Sequence, residues 1–160
     1  MKKTQAVKFS PSEYHRYLMD NTAPSMHYSG GGPVKWQRRL RAKIRELVGA
    51  FPDERIPLTP NVLWKKKNSF GSIEKIVITS EKNSDMPMYF CLPKNSSPPY
   101  TVMICVQGHS SGMHNSIGLS FGNESKSIHV EGDRDFAVDC MKRGIAALCI
   151  EQRSFGERAE

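Results

Sequence analysis

Apolar residues recur at two different periods along this chain, and the change falls near Pro60. Between Val34 and Val48, the residues Trp36, Leu40, Ile44, Leu47 and Val48 follow at spacings of four, four, three and one. That rhythm predicts an amphipathic helix with one apolar stripe. Lys35, Arg38, Arg39, Arg41, Lys43 and Arg45 take the remaining surface, and Gly49 with Pro52 marks the end. Upstream, Ser10-Pro11-Ser12-Glu13 combines a capping box with proline at the first helical position, which predicts a short helix to about Met19. Residues 21–33, NTAPSMHYSGGGP, form a predicted loop. Its SGGGP stretch lacks the Lys-Ser/Thr pair that grips phosphate and Mg²⁺, so it reads as a hinge or turn.

After Pro60 the segments NVLWKKK, SIEKIVITSE and MPMYFCLP are short and rich in β-branched and aromatic residues. With polar turns between them they predict an antiparallel meander. The loop NSSPPY leads into TVMICVQ, apolar almost throughout up to Gly108, which predicts a strand buried on both faces. SSGMHNSIGLSFGNESKSIHV has little periodicity and reads as a long loop. A helix is predicted over 131–143, acidic in its first turn and basic in its last, with Phe136, Ala137, Cys140 and Met141 inward. Gly144 closes it, and IAALCIE is a second buried strand. Strand, helix and strand make a right-handed crossover with parallel strands. The fold class is therefore α/β: N-terminal helices, an antiparallel meander, then the start of a parallel βαβ sheet. Residues 1–60 form a helical extension and 61–160 the sheet-bearing part.

Composition narrows the function classes. The chain has 160 residues, 38% of them hydrophobic and 24% charged, a globular balance. No apolar run reaches the roughly 20 residues of a membrane span, and the N-terminus lacks the apolar core of a secretory signal, so a cytoplasmic location is expected. Cys91, Cys105, Cys140 and Cys149 show no C-x-x-C spacing and are expected as buried free thiols. The net charge of +7 is uneven: residues 1–67 carry 14 Lys and Arg against 5 Asp and Glu, and the remainder 9 against 11. The basic face has no interleaved aromatics for stacking bases, so a solvated surface is expected, with no nucleic-acid or membrane partner.

The chemistry concentrates in Gly108-His109-Ser110-Ser111-Gly112, which fits G-x-S-x-G. In a nucleophile elbow a helix begins at the serine, so that its first amides face the oxyanion. After Ser110, however, come Ser-Gly-Met-His-Asn-Ser-Ile-Gly, poor helix formers with two glycines. A meander and a Pro-rich loop precede the strand where an elbow would have a crossover helix. The residues therefore fit an elbow poorly; the turn is a different Gly-rich loop or a purely structural turn, and Ser110 is kept only as the alternative nucleophile. In that alternative, a minimal hydrolase, His129 and either Asp133 or Asp135 would supply base and acid. His109 and His114 stand five apart with no carboxylate cluster, so no metal site is expected. His15, His27 and His129 read as surface or cap residues, and Arg153 as a tie between loops.

The helix from Trp36 to Gly49, VMICVQGHSSGMH, GDRDFAVDCMKRG and IAALCIEQRSFGER together resemble the α/β-hydrolase superfamily. The likeness is to its acetyl-xylan-esterase-like and dienelactone-hydrolase-like branch. Gln107-Gly108-His109 is similar to that branch's H-G-x turn after the third strand, with Gln in place of His. Glu151 to Glu157, EQRSFGE, is similar to its D-x-R-G-x-G turn after the fourth strand, with Glu for Asp and Ser for Gly. The resemblance implies a serine ester hydrolase with no metal or cofactor, acting on a small-molecule ester. It implies that the His109 backbone N–H is one oxyanion-hole donor and that Gly108 permits close backbone approach. It also implies that residues 61–160 stop before the nucleophile elbow, so that the chain alone lacks the triad and is inactive. Half of such a sheet would leave the last strand's edge open to self-association. A non-catalytic interaction domain using the basic helix is the remaining alternative.

Overall fold

The computed structural model of the protein describes residues 10–49, 54–108 and 111–159. The chain divides after residue 53 into two compact units.

In the first unit, α1 (Pro11–Asn21) starts as its sequence requires: the Ser10 hydroxyl accepts from the Glu13 N–H at 3.4 Å, and Pro11 takes the position where no N–H is needed. Helix α2 (Pro33–Val48) opens on another proline and ends at Gly49, whose φ of 89° lets its N–H close on the Arg45 carbonyl at 3.1 Å. The loop before α2 folds over its first turn. The Trp36 indole N–H donates to the Met26 carbonyl at 2.8 Å, and its ring meets Tyr28 at 5.1 Å between centroids. The helix periodicity was legible, but no residue of either helix is buried. Trp36 and Leu40 are half-buried, whereas Ile44, Leu47 and Val48 are exposed.

The second unit is built on a five-stranded sheet. Strands β1 (Asn61–Lys67), β2 (Gly71–Glu81) and β3 (Ser84–Pro93) form the expected antiparallel meander. Strand β4 (Val102–Cys105) follows, and the last strand, β7 (Ala146–Ile150), inserts between β3 and β4. It runs antiparallel to β3 and parallel to β4, so the order is β1-β2-β3-β7-β4. Helix α4 (Phe136–Lys142) crosses between the parallel strands and buries Ala137 and Met141. The core joins Ile73, Tyr89 and Cys91 of the meander to Cys105, Met113, Ile117, Ala137, Met141, Ala147 and Cys149. All four cysteines are free, Cys140 half-buried and the others buried.

Five sequence expectations are corrected here. Strand β4 is not buried on both faces: Val102, Met103 and Ile104 are about half exposed or more, and only Cys105 is buried, because the strand lies at the sheet edge. The open edge is accordingly that of β4 and not of the last strand, which is interior. The helix over 131–143 begins only at Phe136; Glu131–Asp133 is one turn of 3₁₀ helix whose Gly132 and Asp133 have φ of 68° and 52°. Phe136 is exposed. Lastly, the long loop contains a helical turn, α3 (Met113–Ser116), and a hairpin, β5 (Leu119–Ser120) with β6 (Asn123–Ser127).

The hairpin forms without an apolar alternation because one of its carboxylates is drawn into the sheet. Glu124 accepts from the Trp64 indole at 2.6 Å, the Tyr89 hydroxyl at 2.8 Å and the Lys75 ammonium at 2.6 Å. Lys75 is buried and also reaches Glu157 at 2.6 Å. Burial opposes the charge on both partners, but these hydrogen bonds outweigh it: Lys75 is held above the usual lysine value and Glu124 below the usual carboxylate value.

Candidate functional site

The two turns singled out in the sequence leave the carboxyl ends of parallel neighbours. Cys105 of β4 pairs with Cys149 of β7, so the segments that begin at Val106 and Glu151 emerge side by side. Ligand sites in open α/β sheets form at this end of the strands.

Glu151, 1% exposed, joins the turns. One carboxylate oxygen accepts the Met113 N–H at 2.9 Å and the other the Glu157 N–H at 3.1 Å. Burial pushes its pKa up, and the two amides pull it partly back. The packing explains the glycines. A Cβ on Gly156, at φ 45°, would stand 2.0 Å from a Glu151 carboxylate oxygen. A Cβ on Gly112 would stand 2.7 Å from the Gly156 Cα and 2.9 Å from the same oxygen. Only glycine fits at either place.

Gln107, also buried, fixes the other end of the first turn. Its amide donates to the Ser116 hydroxyl at 2.6 Å and the Arg134 carbonyl at 2.9 Å, and its backbone carbonyl accepts from the Gln152 amide at 2.6 Å. The Ser111 hydroxyl donates to the Gly108 carbonyl at 2.6 Å. Of the predicted site residues, His109 and Ser110 lie outside the described residues. Gly108 is exposed, and a Cβ on it would meet nothing within 4 Å, so the crowding in this turn falls on Gly112 instead.

A cavity of about 550 Å³ opens beside the turns, lined by Ser111, His114, Phe121, Ser154, Phe155 and Gly156. Its size suits a small molecule. Burial holds the His114 pKa below its usual 6.5, against the charge of Glu157. The residues of the minimal-hydrolase alternative lie elsewhere: His129 is exposed, and Asp133 lines a separate cavity with Met103, Ile104 and Phe136. Among the described residues no hydrogen bond joins His129 to Asp133 or Asp135. Arg153, expected to tie loops together, pairs instead with Glu81 at the end of strand β2, at 2.6 Å. Among the described residues no group of three His, Cys, Asp or Glu could hold a metal ion, and no helix is long and apolar enough to cross a membrane.

Sequence reasoning missed Glu151, His114 and Gln107 as site builders. The signal for Glu151 was present: a carboxylate ending an apolar strand, with Gly156 five residues on. Of the residues that hold Gln107, Ser116 comes from a segment with no readable periodicity and Arg134 from residues expected as helix, whose carbonyl is free to accept because the helix starts only at Phe136.

No family model matches the chain, and no curated protein matches it. Its structure is similar to the crystal structure of a putative acetyl xylan esterase from Bacteroides fragilis NCTC 9343, at 18% identity and a TM-score of 0.71. The match covers 100% of this chain and 42% of that one, so the chain spans less than half the length of that structure. The likeness is one of fold: a mixed α/β architecture in which a mostly antiparallel sheet ends in a parallel pair, consistent with part of an α/β-hydrolase-like fold.

Proposed function

We propose that the chain is the N-terminal segment of a serine carboxylic-ester hydrolase of the acetyl-xylan-esterase-like kind, supplying the oxyanion loop. The observation that carries this reading is the pair of strand-end turns clasped by Glu151 beside a small-molecule cavity. Ester cleavage passes through a tetrahedral intermediate whose oxyanion needs two fixed N–H donors. On this reading His109 supplies one from its backbone, and the residue after a nucleophilic serine elsewhere supplies the second. Removing one such donor costs about 2.7–4 kcal/mol of transition-state stabilisation. The turn would be held in place by Gln107 at one end and Glu151 at the other, so its amides would need little reorganisation as charge develops.

The elbow alternative is disfavoured by the local structure after Ser110. Helix α3 starts at Met113 with Gly112 as its cap, and runs for only four residues. An elbow's oxyanion amides come from a helix that starts at the nucleophile. The test is p-nitrophenyl acetate turnover by the 160-residue chain beside its Ser110→Ala variant. No turnover above the buffer rate is expected from either. Turnover that Ser110→Ala abolishes would replace this reading with the minimal hydrolase.

A further inference from the structure

His114 is the one side chain lining the 550 Å³ cavity that carries an unpartnered ring nitrogen. Its Nδ1 is fully buried and has no hydrogen-bond partner. The Gly112 Cβ position lies 3.0 Å from that nitrogen, so a side chain at residue 112 would collide with the ring. Phe121 packs against the ring at 5.2 Å between centroids. Neutral imidazole carries one proton, and it can sit on either nitrogen. A buried N–H without an acceptor is costlier and rarer than an unused lone pair. The proton therefore belongs on Nε2, which has no protein partner among the described residues and is not among the buried atoms.

We propose that His114, as its Nε2–H tautomer, is the hydrogen-bond donor that receives an acceptor oxygen of a ligand in this cavity, a carbonyl or carboxylate flanked by an apolar group. Phe121, Phe155 and Ala159 supply the apolar wall. The Ser111 hydroxyl is already committed to the Gly108 carbonyl, which leaves His114 and Ser154 as the polar side chains facing the ligand. A histidine in this tautomer offers no lone pair to the cavity, so it binds oxygen and does not act as a general base there. This deepens the ester-hydrolysis reading, on which it rests for the ligand's identity but not for the tautomer.

The experiment is long-range ¹H–¹⁵N NMR of the ¹⁵N-labelled chain, with His114 assigned by comparing His114→Phe and His114→Gln. The expected spectrum shows Nδ1 unprotonated and Nε2 protonated at neutral pH. Butyrate is then titrated, with butylamine as the charge-reversed probe of equal length. Butyrate should shift the Nε2–H resonance. Its affinity should fall about tenfold or more in His114→Phe and stay within a few-fold in His114→Gln, which keeps an N–H donor. An Nδ1–H tautomer, no saturable butyrate binding by the wild type, equal affinity in the folded His114→Phe variant, or preference for butylamine would each overturn the proposal. Failure of the ester reading alone would appear in the p-nitrophenyl acetate assay and leave these spectra unchanged.

Discussion

Replacing Glu151 by alanine removes the acceptor of a buried amide, that of Met113, and of a part-buried one, that of Glu157. A buried donor left unpaired costs about 1–3 kcal/mol and the part-buried one, which water can reach, costs less, so the substitution should cost about 1–4 kcal/mol. For a chain whose total stability falls in the usual range of about 5–15 kcal/mol, that is a large fraction. Glu151→Gln keeps the shape but can accept only one amide, since its NH₂ would face the other donor; its loss should be about half as large. The assay is urea unfolding followed by far-UV circular dichroism at neutral pH, comparing midpoints at constant slope. A loss below about 1 kcal/mol for alanine would refute the clasp as argued, as would glutamine proving worse than alanine. The pH dependence supplies a second check. Because the folded-state pKa is raised, the protonation-linked part of the Glu151 contribution is complete below the unfolded value of about 4.3 and is lost as pH rises through the folded value, while the two amide hydrogen bonds are kept by the carboxylate. The gap between wild type and Glu151→Gln should therefore narrow as pH rises from about 4 towards neutrality.

Three further outcomes are expected. Gly156→Ala places a Cβ against the Glu151 carboxylate at a positive φ; strain and overpacking should lower stability by at least about 2 kcal/mol, read as a fall in thermal midpoint. Glu124→Gln leaves Lys75 with Glu157 alone and should cost about 1–3 kcal/mol. Because the Glu124 pKa is lowered, its contribution is present above about 4.3 and fades as pH falls through the folded value, so the variant should unfold at a pH closer to neutral in an acid titration. Wild-type chain should associate with rising concentration in sedimentation velocity, and Ile104→Lys, a charge on the exposed edge strand β4, should shift it towards monomer.

How much of this was legible depended on whether local chemistry or distant partners decide an element. The caps at Ser10 and Gly49 and the antiparallel meander are dictated by nearby residues, and the sequence showed them. Residues 131–143 carried the right charges for a helix, but Gly132 and Asp133 adopt positive φ and delay its start. The run TVMICVQ declared a strand that wants apolar cover on both faces; it could not declare which neighbour provides it. The β5–β6 hairpin was invisible because its anchor is Glu124, whose partners Trp64, Lys75 and Tyr89 lie 35 to 60 residues away in the chain. In the site, GHSSG was conspicuous as a motif and Glu151 opened a recognisable turn, but nothing local showed that its carboxylate reaches the Met113 amide 38 residues away.

The insertion of β7 between β3 and β4 also sets an order of events during synthesis. Strand β4 leaves the ribosome well before β7, its partner strand in the sheet, and cannot join the meander until β7 fills the gap. At the usual rate of translation that interval lasts roughly a few seconds. Throughout it, Val102, Met103 and Ile104 form an unpaired apolar strand, a template for pairing with other nascent chains. Gln107 and Met113 gain their partners Gln152 and Glu151 only once β7 has been made, so these contacts are among the last of this unit to be assembled.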